Sequence, residues 1–265
     1  NECLGEVKNQ MLRLLEFLEN DLGISKGMSI NFSGFKGYHL HIRDESVQNL
    51  SSSARIELVD YLTANNLDFF SAGFFKKEKA WVCPKKEEAM GWSKRTLEGI
   101  KNLFKNSTVT ELAIASGTTV SIAKKLLEKK ETVLADIDKG FLHSLSQQKK
   151  TDEFWKNILQ GVVDSQKVDI DRQTSIDIAK ILRVPNTIHG GTGLLAKEFP
   201  LSGLKEFQPL KDCVVFSQNP VKVFVERCPE FEMFGQKFPA MQKTEVELPE
   251  FAAVFLIAKC LARLP

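Results

Sequence analysis

No stretch of this 265-residue chain approaches the ~20 consecutive apolar residues that a bilayer-spanning helix needs. A transmembrane helix and a membrane partner are therefore not expected. A surplus of charge of one sign is missing too. Lys and Arg total 36 against 34 Asp and Glu, for a formal net charge of +2. That excludes a uniformly basic coat of the histone or ribosomal type, while leaving room for local basic sites. The sequence has no internal repeat and no low-complexity tract. Its apolar fraction of 43% and charged fraction of 26% are those of a globular protein, not a disordered one. Cysteine is sparse: Cys3, Cys83, Cys213, Cys228 and Cys260 are odd in number, and no two are spaced as CxxC. A disulfide framework is not expected, a reducing compartment is, and no complete zinc site can be written from them. Histidine is scarcer still. Of His39, His41, His143 and His189, three lie in Gly-rich, polar segments. An initiator Met and a signal peptide are also missing. The chain opens Asn1-Glu2-Cys3 and runs straight into a helical pattern, as if entered partway.

What is present reads as alternating strands and helices. Val7, Met11, Leu14, Leu15 and Leu18 recur at helical spacing over residues 4–22, with Gly23 placed as a C-cap. Met28–Phe32 and Tyr38–Ile42 alternate like strands around the Gly-flanked connection Ser33–Gly37. In such a hairpin His39 and His41 share one face, and Tyr38, Leu40 and Ile42 the other. A helix is expected over 52–64 and a strand or two within Phe69–Val82. Helical patterns dominate from Glu87 to Val163. Pro185-Asn186-Thr187 and Gly190-Gly191-Thr192-Gly193 mark a turn-rich loop. Cys213–Ser217 and Val221–Glu226 read as paired strands. Pro249 reads as the first residue of a final apolar helix over Phe251–Leu264. The outline is an α/β domain with a helical subdomain.

Two segments combine a cation, an imidazole and glycines, a combination that suits a polyphosphate. In Ser33-Gly34-Phe35-Lys36-Gly37-Tyr38-His39, glycines permit close backbone approach and expose amide N–H groups. Ser33 adds a hydroxyl, Lys36 a point charge and His39 a switchable donor. Arg183-Val184-Pro185-Asn186-Thr187-Ile188-His189-Gly190-Gly191-Thr192-Gly193 repeats the combination. Either segment alone is also an ordinary turn. Asp169-Ile170-Asp171, on a strand, would point two carboxylates to one side, where they could hold Mg²⁺ or Mn²⁺. Asp136-Ile137-Asp138 lies in a helical stretch, where residues two apart diverge, and reads as a solvated face or cap. Glu111–Gly117 followed by Val120–Leu127 has helix-turn-helix spacing, with a basic run over Lys124–Lys130. The same pattern describes any two packed helices.

These residues resemble a known family. Asn31–Ile42 resembles the nucleotide-binding motif of the archaeal and eukaryotic DNA primase catalytic (small) subunit, and Leu182–Leu194 resembles that family's second signature. Leu248–Leu256 resembles how archaeal members end, and Arg183 and the Gly after His189 lean archaeal. The resemblance spans nearly the whole chain and is loosest over the helical part. It implies an α/β (α+β) fold, with a mixed sheet of RRM-like strands of the primase-polymerase type. Residues 1–265 would then be one catalytic domain, with 87–163 as a helical insertion. Ser33, Lys36 and His39 would contact the triphosphate of an incoming nucleotide, with Gly34 and Gly37 in the same binding turn. Arg183 and His189 would clamp those phosphates from the second loop. Asp171 occupies the family's metal-binding and catalytic position, and Asp169 lies beside it without matching.

Several departures accompany the resemblance. Phe35 stands where the family has a polar or basic residue. Lys36 replaces Arg, keeping the charge but losing bidentate phosphate geometry. The family's principal Asp-x-Asp pair precedes the Ser-Gly motif, yet Asp21 is the only Asp within residues 1–32. Cys3 matches the last ligand of a zinc knuckle that the family places just before the first helix. The chain is thus expected to be N-terminally incomplete, starting at the end of that knuckle.

For the complete protein, the resemblance implies template-directed synthesis of short RNA primers by two-metal nucleotidyl transfer. Mg²⁺ or Mn²⁺ would serve catalysis and a structural Zn²⁺ the knuckle. NTPs, single-stranded DNA template and a primase large subunit in a heterodimer would be the partners. The location would be the cytoplasm of an archaeal cell, or the nucleus if eukaryotic. Two other readings stand beside it. One is a non-catalytic nucleotide- or DNA-binding module using the Lys124–Lys130 run. The other is a repair-type primase-polymerase that shares the phosphate motifs.

Overall fold

A computed structural model describes residues 2–143, 145, 148–177 and 179–265. The chain start at Asn1, and the parts of segments 87–163 and 170–183 that contain Ser144, Ser146, Gln147 and Ile178, lie outside the described residues.

In chain order, α1 (Glu2–Asn20) leads to β1 (Met28–Phe32), β2 (Tyr38–Ile42), α2 (Glu45–Gln48) and α3 (Ser52–Leu62). Next come β3 (Phe75–Lys77), β4 (Ala80–Val82), α4 (Gly91–Asn106), α5 (Val109–Ser116), α6 (Val120–Glu128) and α7 (Lys130–Asp138). Then follow β5 (Phe141–Leu142), α8 (Gln148–Gln166), α9 (Arg172–Ile176), β6 (Glu198–Phe199) and α10 (Pro209–Asp212). The chain closes with β7 (Pro220–Cys228), β8 (Phe231–Met233), β9 (Gln236–Phe238), β10 (Met241–Pro249), α11 (Glu250–Ala258) and β11 (Ala262–Arg263). The fold is α+β. Every strand pairing among the described residues is antiparallel, and the strands form several small sheets.

Two compact units share these elements. One joins Asn1–Arg55 to Asp171–Pro265. In it, β1 is the middle strand of the order β2-β1-β6. Its pairing puts Phe32 opposite Tyr38 and Asn31 opposite His39, the hairpin its alternation predicts. Ile30 and Phe32 are fully buried, and Phe32 meets Tyr38 edge to face at 5.6 Å. The opposite face carries Asn31, His39 and His41, as the period of two requires. A second sheet, β10-β7-β11, buries Val223 and Val225 against Phe251, Ala252 and Leu256 of α11. Gly23, at φ +69°, ends α1, and the Ile24 amide returns to the Leu18 carbonyl at 2.8 Å.

Three sequence expectations in this unit are corrected. Cys213–Ser217 is not a strand: Pro209 opens the short α10, Cys213 is its C-cap, and the partner of β7 is β10. Pro249 is the N-cap of α11, not its first residue; N1 is Glu250, whose carboxylate accepts from the Ser217 amide at 2.8 Å. The final helix does not reach Leu264. Cys260 turns left-handed at φ +57°, the Leu261 amide donates to the Leu256 carbonyl, and Ala262–Arg263 pair with β7. A continuous apolar run hides such a stop, because the buried strand and buried helix read alike.

The other unit, Ile56–Ile170, is mainly helical and contains the sheet β3-β4-β5. Its core gathers Leu97, Ile100 and Phe104 of α4 with Leu112 of α5, Val133 and Ile137 of α7, and Phe154, Trp155 and Ile158 of α8. The helix-turn-helix spacing is real at the backbone level. Thr108 and Glu111 form a capping box on α5, Gly117 turns at φ +65°, and Thr119 caps α6. Asn157 of α8 donates to the Ser116 carbonyl at 3.0 Å, so the turn is tied into the bundle. Asp136 and Asp138 do diverge: Asp136 meets His143 at 2.7 Å and Asp138 pairs with Lys101.

Candidate functional site

The first candidate segment is a closed turn. The Ser33 amide donates to the Gly37 carbonyl at 2.8 Å. The Ser33 hydroxyl accepts from the amides of Phe35 at 3.3 Å and Gly37 at 3.1 Å. These two amides are therefore turned inward, not held open for a ligand as the sequence suggests. Ser33 keeps its own hydroxyl proton to donate. Gly37 has open space where a Cβ would sit. Gly34 does not. Its φ is +81°, and a Cβ there would lie 2.7 Å from the His189 Cβ. Glycine at 34 is thus needed for the approach of the second segment.

That second segment folds directly onto the first. The Thr192 hydroxyl, 3% exposed, donates to the Gly34 carbonyl at 2.6 Å. The His189 amide donates to the Leu194 carbonyl at 2.8 Å, closing the loop that carries the ring. The Gly191 amide donates to His189 Nδ1 at 3.1 Å. Nδ1 is therefore an acceptor, and a neutral His189 carries its proton on Nε2. The ring lies parallel to that of Phe35, with centroids 5.2 Å apart and planes 10° from parallel. Phe35, the residue that departs from the resemblance, is a stacking platform for His189.

The third contribution comes from the hairpin face. Asn31 is fully buried, and its amide group donates to the Phe32 carbonyl at 3.1 Å while its Oδ1 meets His41 Nε2 at 2.9 Å. His41 is pinned by that bond. His39, 6.4 Å from His41 between centroids, has a buried Nδ1 with no hydrogen-bond partner. A buried polar atom left unpaired costs about 1–3 kcal/mol.

The electrostatics are one-sided. Burial lowers the pKa of His39, with His41 and Arg183 acting in the same direction. Burial also lowers that of His189, followed by Arg183, with Lys259 contributing further. Both imidazoles are consequently poised as neutral N–H donors. Among the described residues no carboxylate pairs with Lys36, Arg183 or Lys259. Lys36 and Lys259 instead sit over the Phe35 ring, at 4.9 and 5.4 Å from its centroid. Neutral donors among cations that no described carboxylate pairs with make an environment suited to a polyanion.

Asp171 is placed differently from the strand expectation for Asp169-Ile170-Asp171. Residues 168–171 are irregular, and Asp171 is the N-cap of α9. Its carboxylate accepts from the Thr174 amide at 3.1 Å and the Thr174 hydroxyl at 2.6 Å. These bonds hold its pKa below the ordinary carboxylate value, with Lys180 at 4.0 Å adding to the effect. Asp is a favoured N-cap residue because its carboxylate accepts a backbone N–H two or three residues on, and here that capping overrides the alternation. No hydrogen bond or ion pair among the described residues joins Asp171 to His39, Arg183 or His189. Asp171 offers a hard oxygen of the kind Mg²⁺ or Mn²⁺ prefers. Yet no group of three His, Cys, Asp or Glu side chains gathers as a metal cage among the described residues. The described residues do not by themselves fit a two-metal centre. Cys3 is an exposed free thiol, and the same holds there for Zn²⁺.

Four residues at the junction went unassigned in the sequence. Asn31 and Thr192 lie inside the two motifs, but a buried amide or hydroxyl leaves no trace in the pattern. Phe35 is visible only as an unexpected aromatic. Lys259, at the end of α11, is distant in sequence from both loops and has no local signal.

Comparison with known proteins yields consistent matches. Residues 1–200 match the family model of the DNA primase small subunit. The chain is 33% identical over 282 residues to the DNA primase small subunit PriS of Methanothrix thermoacetophila, covering 97% of this chain and 70% of that one. It is 30% identical over 299 residues to the protein of the same name from Methanosarcina barkeri, covering 98% and 70%. Against that of Halorubrum lacusprofundi the identity is 28% over 269 residues, covering 99% and 69%.

Proposed function

Because this chain belongs to the DNA primase small subunit family, we propose that the Ser33–His39 turn and the Arg183–Gly193 loop together bind the triphosphate of an incoming nucleotide during primer synthesis. The observation that carries this reading is the direct seating of one loop on the other. Thr192 bonds to Gly34, and His189 stacks on Phe35, so two segments far apart in sequence present their cations and imidazoles together. Ser33 donates its free hydroxyl proton, His189 donates from Nε2, and His39 adds a second imidazole. Lys36 and Arg183 neutralise charge on the outer phosphates. These groups are preorganised, so charge that develops on the departing pyrophosphate meets donors already in place.

Family membership supports a wider reading. The proposed reaction is template-directed synthesis of short RNA primers on single-stranded DNA, in a heterodimer with a primase large subunit, in the cytoplasm of an archaeal cell. For Asp171 the proposal is one carboxylate toward Mg²⁺ or Mn²⁺. No step is derived through a metal, because no ligand cluster among the described residues includes Asp171.

Titration of the chain with ATP and with AMP tests the phosphate site. ATP should bind at least tenfold more tightly than AMP, and His39→Ala and His189→Ala should each remove most of that preference. Equal affinity for ATP and AMP, or variants indistinguishable from the parent chain, would overturn it.

A further inference from the structure

The junction holds a cation that neither motif contains. Lys259 is the C-cap of α11, and its exposed side chain lies over two rings, with Nζ 5.1 Å from the Phe255 centroid and 5.4 Å from that of Phe35. The Phe255 contact follows from helix geometry, since residues four apart are neighbours on a helix. The Phe35 contact does not. It joins the end of α11 to the tip of the Ser33–Gly37 turn, and the same ring also meets His189 and Lys36. A helix C-terminus favours a cation for its own reasons, but the helix dipole does not select a direction over Phe35. No carboxylate among the described residues pairs with Lys259, and its charge reaches His189 strongly enough to help lower that pKa.

We propose that Lys259 is a phosphate-contacting cation of the nucleotide site, held beside His189 by the Phe35 ring. The inference rests on the nucleotide-binding reading of the two loops and adds a residue from a third element. It also accounts for Phe35. A polar or basic side chain at that position would reach phosphate itself. The aromatic instead orients an imidazole and draws in a lysine from α11. The ring quadrupole attracts the ammonium without neutralising it, so the full charge remains available to an anionic ligand.

The test is an ATP and AMP titration of the full chain carrying Lys259→Met or Lys259→Arg, with Arg183→Ala as a reference and thermal melting of each variant. Lys259→Met should weaken ATP roughly tenfold, the size of one charge-assisted hydrogen bond, and AMP by less than about twofold. It should also lower the salt dependence of ATP binding, because one charge contact is lost. Lys259→Arg should restore most of the affinity, and the melting temperature should stay that of the parent. If Lys259→Met binds ATP like the parent while Arg183→Ala does not, the role of Lys259 is overturned and the nucleotide site stands. If Arg183→Ala is also without effect, the reading of the site fails and this inference fails with it. Equal losses for ATP and AMP, with a lower melting temperature and no rescue by Arg, would assign Lys259 a purely structural role and overturn the proposal.

Discussion

Thr192 donates its hydroxyl proton to the carbonyl of Gly34 at 2.6 Å, joining residues 158 positions apart through a buried bond. This bond seats the loop that carries His189 on the turn that carries Ser33. Thr192→Val keeps the volume and removes the donor, leaving the Gly34 carbonyl buried and unpaired. The variant should lose about 1–3 kcal/mol of stability in urea denaturation. It should also bind ATP several-fold more weakly, although it touches no phosphate itself.

Gly34→Ala should be more damaging. The added methyl would meet the His189 Cβ at 2.7 Å and the Leu194 carbonyl at 3.2 Å, in a backbone held at φ +81°. The clash cannot be relieved by rotating a flexible side chain, so the loops must separate. We expect a loss of at least about 1–2 kcal/mol, from left-handed strain alone. ATP binding should be largely abolished. Gly37→Ala is the internal comparison: its Cβ would enter open space, and its φ is not positive. Melting curves of the two variants, run side by side, check the difference.

The imidazoles give a pH signature. His39 and His189 both have pKa values lowered from 6.5, chiefly by burial. Below 6.5 the unfolded chain therefore binds protons that the folded chain resists, and stability should fall as pH drops through that window. ATP supplies negative charge beside both rings and should raise their pKa values. ATP binding should then take up protons, and affinity should strengthen as pH falls from 7 toward the unliganded midpoints, as long as the chain stays folded. Calorimetry in buffers of different ionisation enthalpy measures the proton uptake. The γ-phosphate's own proton, lost on binding to cations, adds to the net count, so the deciding reading is the imidazole resonances against pH: midpoints of both rings that do not rise with ATP bound would contradict the assignment.

Asp171 provides a separate test. Its carboxylate is held low mainly by the Thr174 hydroxyl and amide. Thr174→Val removes the first of these bonds and should raise the titration midpoint of Asp171 toward the ordinary Asp value. The shift is read from carboxyl carbon resonances in an acid titration. An unchanged midpoint would show that the α9 cap does not depend on the hydroxyl.

Much of the site was legible because its signals are local. The hairpin Met28–Ile42, with both histidines on one face, follows from alternation and from glycine punctuation, and the strands have those ends. The two motif segments were legible from their residue types, but their contact was not, since nothing local encodes a bond from Thr192 to Gly34. Asp169 and Asp171 alternate in sequence, yet the capping geometry from Asp171 to Thr174 dominates. Cys213–Ser217 carries apolar residues suited to a strand, but Pro209 opens a helical turn just ahead of it and β7 pairs with Met241–Pro249 instead. That partner was missed because Gln242, Lys243, Glu245 and Glu247 give it a polar, exposed face. Lys259 was invisible for the same reason as the Thr192 bond: its meaning lies in a ring contributed by another element.

The most direct measurement follows the His39 and His189 side-chain resonances while ATP is added. Both imidazoles should shift along a single binding curve with one dissociation constant, and AMP at the same concentrations should move neither to a comparable extent. Resonances that saturate at different ATP concentrations, or a response from only one of the two histidines, would contradict a shared triphosphate site built from both loops.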